Sequence, residues 1–439
     1  MKNIRYILFL LVFKSFSQNE KKDTIQAASI KEVVVTGQFA PQSIKKSVFN
    51  VRLITAKDIQ NLAATTLSDV LSQYLNITVN PNGTNGRSTV SLFGLDAQYF
   101  KILVDGVPLV NEASLGNNTD LSQINLNDIE QIEIVEGSMG VTHGANAVSG
   151  VLNIVTKKSS LDKWNISATA QEETVKDEFS LFDKGRHIQA LKISHTINNN
   201  WFVSLGANRN DFQGFLDDKK GKNYNENNQM RGFRWLPKEQ LNLTALLSYR
   251  KNNINVFYKF EYFDENIDFY NSSVQSGYNT QLGSYRYASD KRYLVNRYFH
   301  NLNATGKIFS KLKYNVSLSH QKKARNVEDF RYYLQTKTEA NNVIVKDQSM
   351  EFLYSTGTLS NFFTDKKVDL QLGYEIVNNK GFSLVQEANN RIVPIRKTLE
   401  NYDFFVSSEI KASEKFSIRP GMRFSAQSKF KDQYASSLG

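Results

Sequence analysis

Cysteine is absent from the 439 residues. Disulfide scaffolds, thiolate zinc sites, iron–sulfur ligation and cysteine nucleophiles are excluded together, because each needs the sulfur itself. Histidine is scarce: His143, His187, His195, His300 and His320 are scattered and lack HExxH or other paired-ligand spacing, so neither a metal site nor a cofactor is expected. Only six prolines stand against 29 Phe and 20 Tyr, a balance that argues against disorder. Charged residues at 22% and a mean hydropathy of -0.43 exclude a bundle of transmembrane helices. The net charge of +11 comes from 54 Lys and Arg spread among 43 acids, so a solvated basic surface is expected and no nucleic acid partner. GxGxxG, P-loop and G-x-S-x-G patterns are missing, and no catalytic residues are expected.

What is present begins with Lys2 and Arg5 ahead of the apolar run from Ile7 to Phe13. Ser15 and Ser17 then supply the small residues read before a cleavage at Gln18, so residues 1–17 read as an export signal. Residues 18–39 form a polar, flexible arm interrupted by Glu32-Val33-Val34-Val35-Thr36-Gly37, where β-branched residues stopped by glycine suit a short strand.

Residues 40–158 mix element types. Thr55 with Asp58 and Thr66 with Asp69 resemble capping boxes at helix starts, and Leu67, Val70, Leu71 and Tyr74 share one helical face. Strands are predicted at 48–54, 89–93, 101–104, 129–135 and 151–156, with Asp105-Gly106 as a tight turn. This is a small α+β domain.

Beyond Lys158 helical periodicity gives way to strict alternation over segments of roughly ten residues. Leu312, Tyr314, Val316 and Leu318 alternate with Lys313, Asn315, Ser317 and Ser319. Val368, Leu370, Leu372, Tyr374 and Ile376 alternate with Asp369, Gln371, Gly373 and Glu375. Phe416, Ile418, Met422 and Phe424 oppose Ser417, Arg419, Arg423 and Ser425, and Leu241, Leu243, Ala245 and Leu247 repeat the period. Short connections are predicted at 198–200, 237–239, 309–311, 364–366 and 413–415, and longer polar loops near 174–186, 211–226, 324–350 and 379–400. Short turns on one rim and long loops on the other predict an antiparallel transmembrane β-barrel over 159–439 in contact with outer-membrane lipid. Ile254 to Phe263 is assigned to an external hairpin. About eleven spanning strands remain, an odd number without the strand that closes an even-numbered barrel, which predicts a truncated barrel.

At this point the chain resembles the TonB-dependent outer-membrane receptors, plugged barrels that import scarce nutrients. The resemblance rests on the segment 32–37, similar to a TonB box, on Thr89-Val90-Ser91-Leu92-Phe93-Gly94 and on Lys101 to Pro108. It is strongest in Ile129-Glu130-Gln131-Ile132-Glu133-Ile134-Val135-Glu136-Gly137 and in His143 to Lys158. The chain departs from the family at Phe93 and Glu136, where Arg is usual, near Ser138, where a Pro is usual, and at His143, near which a Tyr is usual.

The resemblance implies an α+β plug followed by the barrel, and a docking partner, TonB, for Glu32, Val33, Val34, Val35 and Thr36. An exposed strand can add to the edge of a partner sheet through main-chain hydrogen bonds; the alternative is that these residues are the first plug strand. It also implies a non-enzymatic receptor for active uptake of a bulky nutrient, a ferric siderophore first, with haem, cobalamin, oligosaccharide or a transport-inactive signalling or docking role as alternatives. Asn82, Thr84, Asn85 and Arg87 belong to a candidate ligand-touching plug loop, as does the stretch 111–119, though both also suit surface turns. Tyr278, Tyr285, Arg286 and Tyr287 suit an anionic aromatic ligand held by stacking and charge, or a solvated loop with interfacial tyrosines.

Overall fold

The computed structural model describes residues 33–438 apart from 38, 40–41, 45–46, 65, 75, 83–86, 111–119, 145, 161, 175, 281–282, 310, 364–366, 388–389 and 414–415. The expected export signal, the arm through Glu32, Thr84, Asn85 and the stretch 111–119 lie outside the described residues.

The N-terminal unit opens with a two-strand ladder, β1 (Val33–Val34) against β2 (Gln42–Ser43). β3 (Asn50–Thr55) leads into α1 (Ala56–Asn61) and α2 (Leu67–Leu71), and both expected capping boxes form. At the second, Thr66 N–H donates to Asp69 Oδ2 at 2.7 Å and Asp69 N–H donates back to Thr66 Oγ1 at 3.3 Å, which satisfies donors the helix start leaves free. Leu67, Val70 and Leu71 are fully buried, with Tyr74 packed on the same cluster.

β4 (Ile77–Asn82) pairs with β5 (Arg87–Leu92) as a separate hairpin. β6 (Phe100–Val104), β7 (Val107–Pro108), β8 (Ile129–Glu136) and β9 (Gly150–Thr156) join β3 in one mixed sheet of order β3-β8-β9-β6-β7, with β6 parallel to β9. Asp105-Gly106 makes the expected turn, both residues at positive φ. A short α3 (Gly140–His143) completes the unit.

The large sheet runs β10 (Trp164–Glu173), β11 (Arg186–Thr196), β12 (Trp201–Phe212), β13 (Lys238–Lys251), β14 (Ile254–Phe269), β16 (Gly283–Ile308), β17 (Leu312–Tyr333), β18 (Thr338–Ser360), β19 (Val368–Gln386), β20 (Ile392–Lys411), β22 (Pro420–Gln427) and β23 (Gln433–Leu438), each antiparallel to the next. β15 (Gln275–Asn279) adds to β16 and β21 (Ser417–Ile418) to β20.

Polarity in this sheet is inverted. Leu205, Leu243, Leu247, Leu302, Leu318, Leu353, Leu372, Phe404 and Met422 are exposed on the outer face, while Asn242, Ser248, Asn301, Ser317, Ser319, Gln321, Gln371 and Ser407 are buried on the inner one. A sheet with apolar side chains outward and polar side chains against a filled interior matches a lipid solvent.

Four expectations are corrected. Ile254 to Phe263 is not an external hairpin but part of the sixteen-residue β14, paired along its length with β13 and β16. Its inner face carries Phe257, Phe263 and Ile267 together with Lys259 and Glu265, all buried, so contact with the N-terminal unit erases the clean alternation. Among the described residues the path therefore holds twelve strands, against the expected eleven or so. Pro237-Lys238-Glu239 is not a short-rim turn: it ends the long excursion from 213, and the short connection is Asn252-Asn253. The stretches 324–350 and 379–400 are mostly strand, because β16 to β20 run 19 to 26 residues, longer than a bilayer crossing needs, and their polar-rich ends beyond the apolar band read as loop from composition alone.

Candidate functional site

Val33 and Val34 are not an isolated strand: they pair with Ser43 and Gln42. The two residues that follow are held by one fully buried carboxylate on β8. Glu133 accepts from Val35 N–H at 3.1 Å and from Thr36 N–H at 2.7 Å, and also from the Thr36 hydroxyl. Asn153 of β9 donates to Thr36 Oγ1 at 2.9 Å, and its own oxygen accepts from Gly106 N–H at 3.0 Å. Beyond, the large sheet takes over: Arg419 donates to the Gly37 carbonyl at 2.7 Å and lies over the Phe39 ring, while Ser360 donates to the Phe39 carbonyl at 3.2 Å.

Further in, the sheet grips the N-terminal unit through charge. Asp105 pairs with Lys158 at 2.5 Å, and Lys259 of β14 lies 3.9 Å from Asp105 and 3.6 Å from Asp128, which also meets Lys192 of β11. Burial works to raise the Asp105 carboxyl, but Lys158 and Lys259 hold it below the usual range. On the other side Lys101 of β6 meets Glu375 of β19 at 3.2 Å, and Arg423 of β22 meets Asp403 of β20 at 2.6 Å and Glu375 at 3.6 Å. Burial pushes the Lys101 ammonium down against the pull of Glu375. Gln321 mimics a peptide unit, accepting from Val110 N–H and donating to the Pro108 carbonyl, each at 2.8 Å. Lys101, Glu375, Asp403 and Arg423 border a cavity of about 430 Å³ between the two parts, lined also by His143, Met350, Phe352 and Phe430.

At the family's arginine positions stand an exposed Phe93 and Glu136, which pairs with Arg52 at 3.1 Å. The charges that hold the plug to the wall are at other positions, Lys101, Asp105 and Asp128.

On the long-loop rim, Tyr285 and Tyr287 come together with Tyr333, their ring centroids 5.4 to 6.4 Å apart, and Arg331 lies 5.0 Å from the Tyr287 centroid. Tyr333 and Arg331 were missed in the sequence, since only the β16–β17 register brings Tyr287 opposite Tyr333. The Tyr285 ring sits on Gly277, where a Cβ would approach it to 2.5 Å, so a larger residue there would displace the ring. Arg286 donates to the Asn225 carbonyl at 2.6 Å and borders an open recess with Tyr287, Val274 and Gln275. Tyr278 stands apart, three-quarters exposed. Asn82 and Arg87 close the β4–β5 ladder as a register pair.

Beside this cluster the excursion 213–237 packs onto β16 and β17 through Arg231. Its guanidinium forms a two-pronged pair with Asp290, both bonds 2.7 Å and both side chains fully buried. Phe330, Tyr332, Leu334 and Val274 form a small apolar core alongside.

Residues 43–151 match the family model of the TonB-dependent receptor plug domain. In sequence the chain is similar to the vitamin B12 transporter BtuB of Vibrio cholerae, 29% identical over 201 residues, covering 44% of this chain and 32% of the relative. In structure it is similar to the siderophore receptor PirA of Acinetobacter baumannii, with a TM-score of 0.67 at 18% identity over 90% of this chain and 59% of the other. A mutant of the ferric enterobactin receptor PfeA of Pseudomonas aeruginosa gives a TM-score of 0.68 at 16% identity, over 90% and 59%. The chain thus spans about a third of the length of the curated relatives it matches and about three-fifths of the solved receptors.

Proposed function

We propose that this chain, which is built as a TonB-dependent receptor with a plug domain followed by barrel strands, takes up a bulky ferric chelate of the siderophore type across the outer membrane. The observation that carries the reading is the inverted twelve-strand sheet packed against a charge-gripped plug, with an aromatic and cationic cluster on its long-loop rim. A lumen filled by a folded unit passes nothing by diffusion, so import needs work done on the plug. In this reading residues 1–17 are a cleaved export signal, residues 18–39 carry the TonB-docking strand Glu32–Thr36, the plug spans 40–158 and the barrel begins at 159.

Tyr285, Tyr287, Arg286 and Tyr278, joined by Tyr333 and Arg331, are the candidate ligand contacts on the wall, and Asn82, Thr84, Asn85 and Arg87 those on the plug. Tyrosine faces and guanidinium groups suit an anionic aromatic chelate by stacking and charge. The sequence likeness to a vitamin B12 transporter supports cobalamin as the second reading.

Growth under iron limitation, with the full locus supplied and a ferric catecholate as sole iron source, tests the proposal. Growth that is lost on Val34→Pro is expected, since proline removes a backbone donor from the docking strand. Equal growth of the proline variant overturns TonB-driven uptake, and uptake of cobalamin but no iron chelate replaces the first reading by the second.

A further inference from the structure

The segment behind the docking strand touches both halves of the molecule within five residues. We propose that Glu133 and Arg419 form a two-point clamp on residues 35–39, one jaw on the plug and one on the barrel wall, which holds the docking strand in place and takes up the load when it is pulled. The inference rests on the TonB-docking reading and deepens it.

The plug jaw is a fully buried carboxylate that accepts from two successive backbone N–H groups, Val35 and Thr36, and from the Thr36 hydroxyl. Charged acceptors form the stronger class of hydrogen bond, and a buried carboxylate stripped of such donors bears a large desolvation cost. Withdrawal of residues 35–36 therefore has to overcome this cost. The barrel jaw acts on the next residues: Arg419, itself buried, holds the Gly37 carbonyl and stacks over Phe39 and Phe49, and Ser360 holds the Phe39 carbonyl.

Tension on β1 is shared at once with β2 through their ladder, and along the backbone it meets Glu133 on β8 of the plug sheet first and then the barrel-borne Arg419 and Ser360. The wall is anchored in the membrane, so the second jaw diverts load away from the plug core. Through Asn153 the first jaw also adjoins the Gly106 turn, the base of the β6–β7 hairpin that continues toward residues 111–119. Both jaws are positioning residues.

Backbone hydrogen exchange of the purified full chain in detergent reads the clamp at the Val35 and Thr36 amides, with β8–β9 ladder amides as the internal reference. Glu133→Ala is expected to speed exchange at Val35 and Thr36 by about tenfold or more, and Arg419→Gln to speed the same pair by a smaller factor, with the reference amides unchanged. Thr36→Val, which deletes one hydroxyl, serves as the milder version should the alanine variant not fold. Unchanged exchange at Val35 and Thr36 in a folded variant overturns the clamp, as does equal acceleration throughout the β8–β9 ladder. Binding of the periplasmic domain of TonB, measured on the same samples, separates the two levels. Faster exchange without binding in any variant sinks the docking reading and leaves the clamp, whereas binding with unaltered exchange sinks the clamp alone.

Discussion

Lys101 Nζ in the plug lies 3.2 Å from Glu375 Oε1 on the barrel wall, across 274 residues of sequence, with each side chain 8% exposed. Truncating one partner of a buried pair strands the other charge. Glu375→Ala is expected to destabilise the folded chain by about 3 kcal/mol, the low end of the usual range because the adjoining cavity admits water. Denaturant titration of the detergent-solubilised protein measures it, and a loss below ~1 kcal/mol would show the pair to be solvated.

His143 lines the same cavity. Burial, with Lys101 and Arg423 nearby, pushes its pKa down to about 3 from about 6.5. Between those values the unfolded chain binds a proton that the folded chain does not, so stability is full above pH 6.5 and declines as pH falls toward 3. His143→Asn is expected to flatten this decline, seen as a smaller change in denaturation midpoint between pH 7 and pH 4. An unaltered pH profile would show that the imidazole is protonated in place.

Leu318 is exposed at mid-strand on β17, and its neighbour Ser319 is buried. If water surrounded the sheet, Leu318→Arg would change stability by less than about 0.5 kcal/mol, the usual effect of a surface substitution. In lipid the same change is expected to cost about 2–4 kcal/mol, with Leu318→Met near neutral. Refolding into vesicles at graded denaturant separates the two cases.

Gly150 sits at φ +155 opposite Glu136, where a Cβ would meet the Val135 carbonyl oxygen at 2.4 Å and Leu92 at 2.9 Å. Neither the backbone carbonyl nor the β8–β9 ladder can give way without loss of pairing. Gly150→Ala is expected to cost about 2 kcal/mol or more and to raise exchange of the β8–β9 amides. Wild-type protection in that variant would contradict the packing.

Arg231 and Asp290 tie the 213–237 excursion to β16 with no exposed side-chain surface on either partner. Asp290→Ala is expected to cost about 3–5 kcal/mol locally and to open the excursion to trypsin, whose sites include Lys219 and Lys220. Unchanged digestion would mean that the Phe330–Tyr332 cluster alone holds the layer.

Much of this was legible in residue order because it depends on local physics. Both capping boxes, the Asp105-Gly106 turn and the core face of α2 follow from side chains within four residues of one another. β17 announced itself through alternation, since its outer face meets one medium and its inner face another. β14 did not, because its inner face, which elsewhere is polar, carries Phe257, Phe263 and Ile267, the first two lying against the plug. The long tips of β16 to β20 looked like loops for another reason, a polar-rich composition beyond the apolar band that breaks the alternation.

The site divides along the same line. Tyr285, Tyr287 and the segment Glu32 to Thr36 could be singled out as residue types in a pattern, but Tyr333, Arg331, Glu133 and Arg419 could not. Sequence by itself determined which segments become strands or helices and which strand faces are greasy, because those depend on neighbours two to four residues apart. Tertiary structure alone decided which charges grip the plug and what holds residues 35–39. Lys101 with Glu375 and Gly37 with Arg419 are joined by strand register and sheet curvature, across hundreds of residues that carry no local trace of the contact.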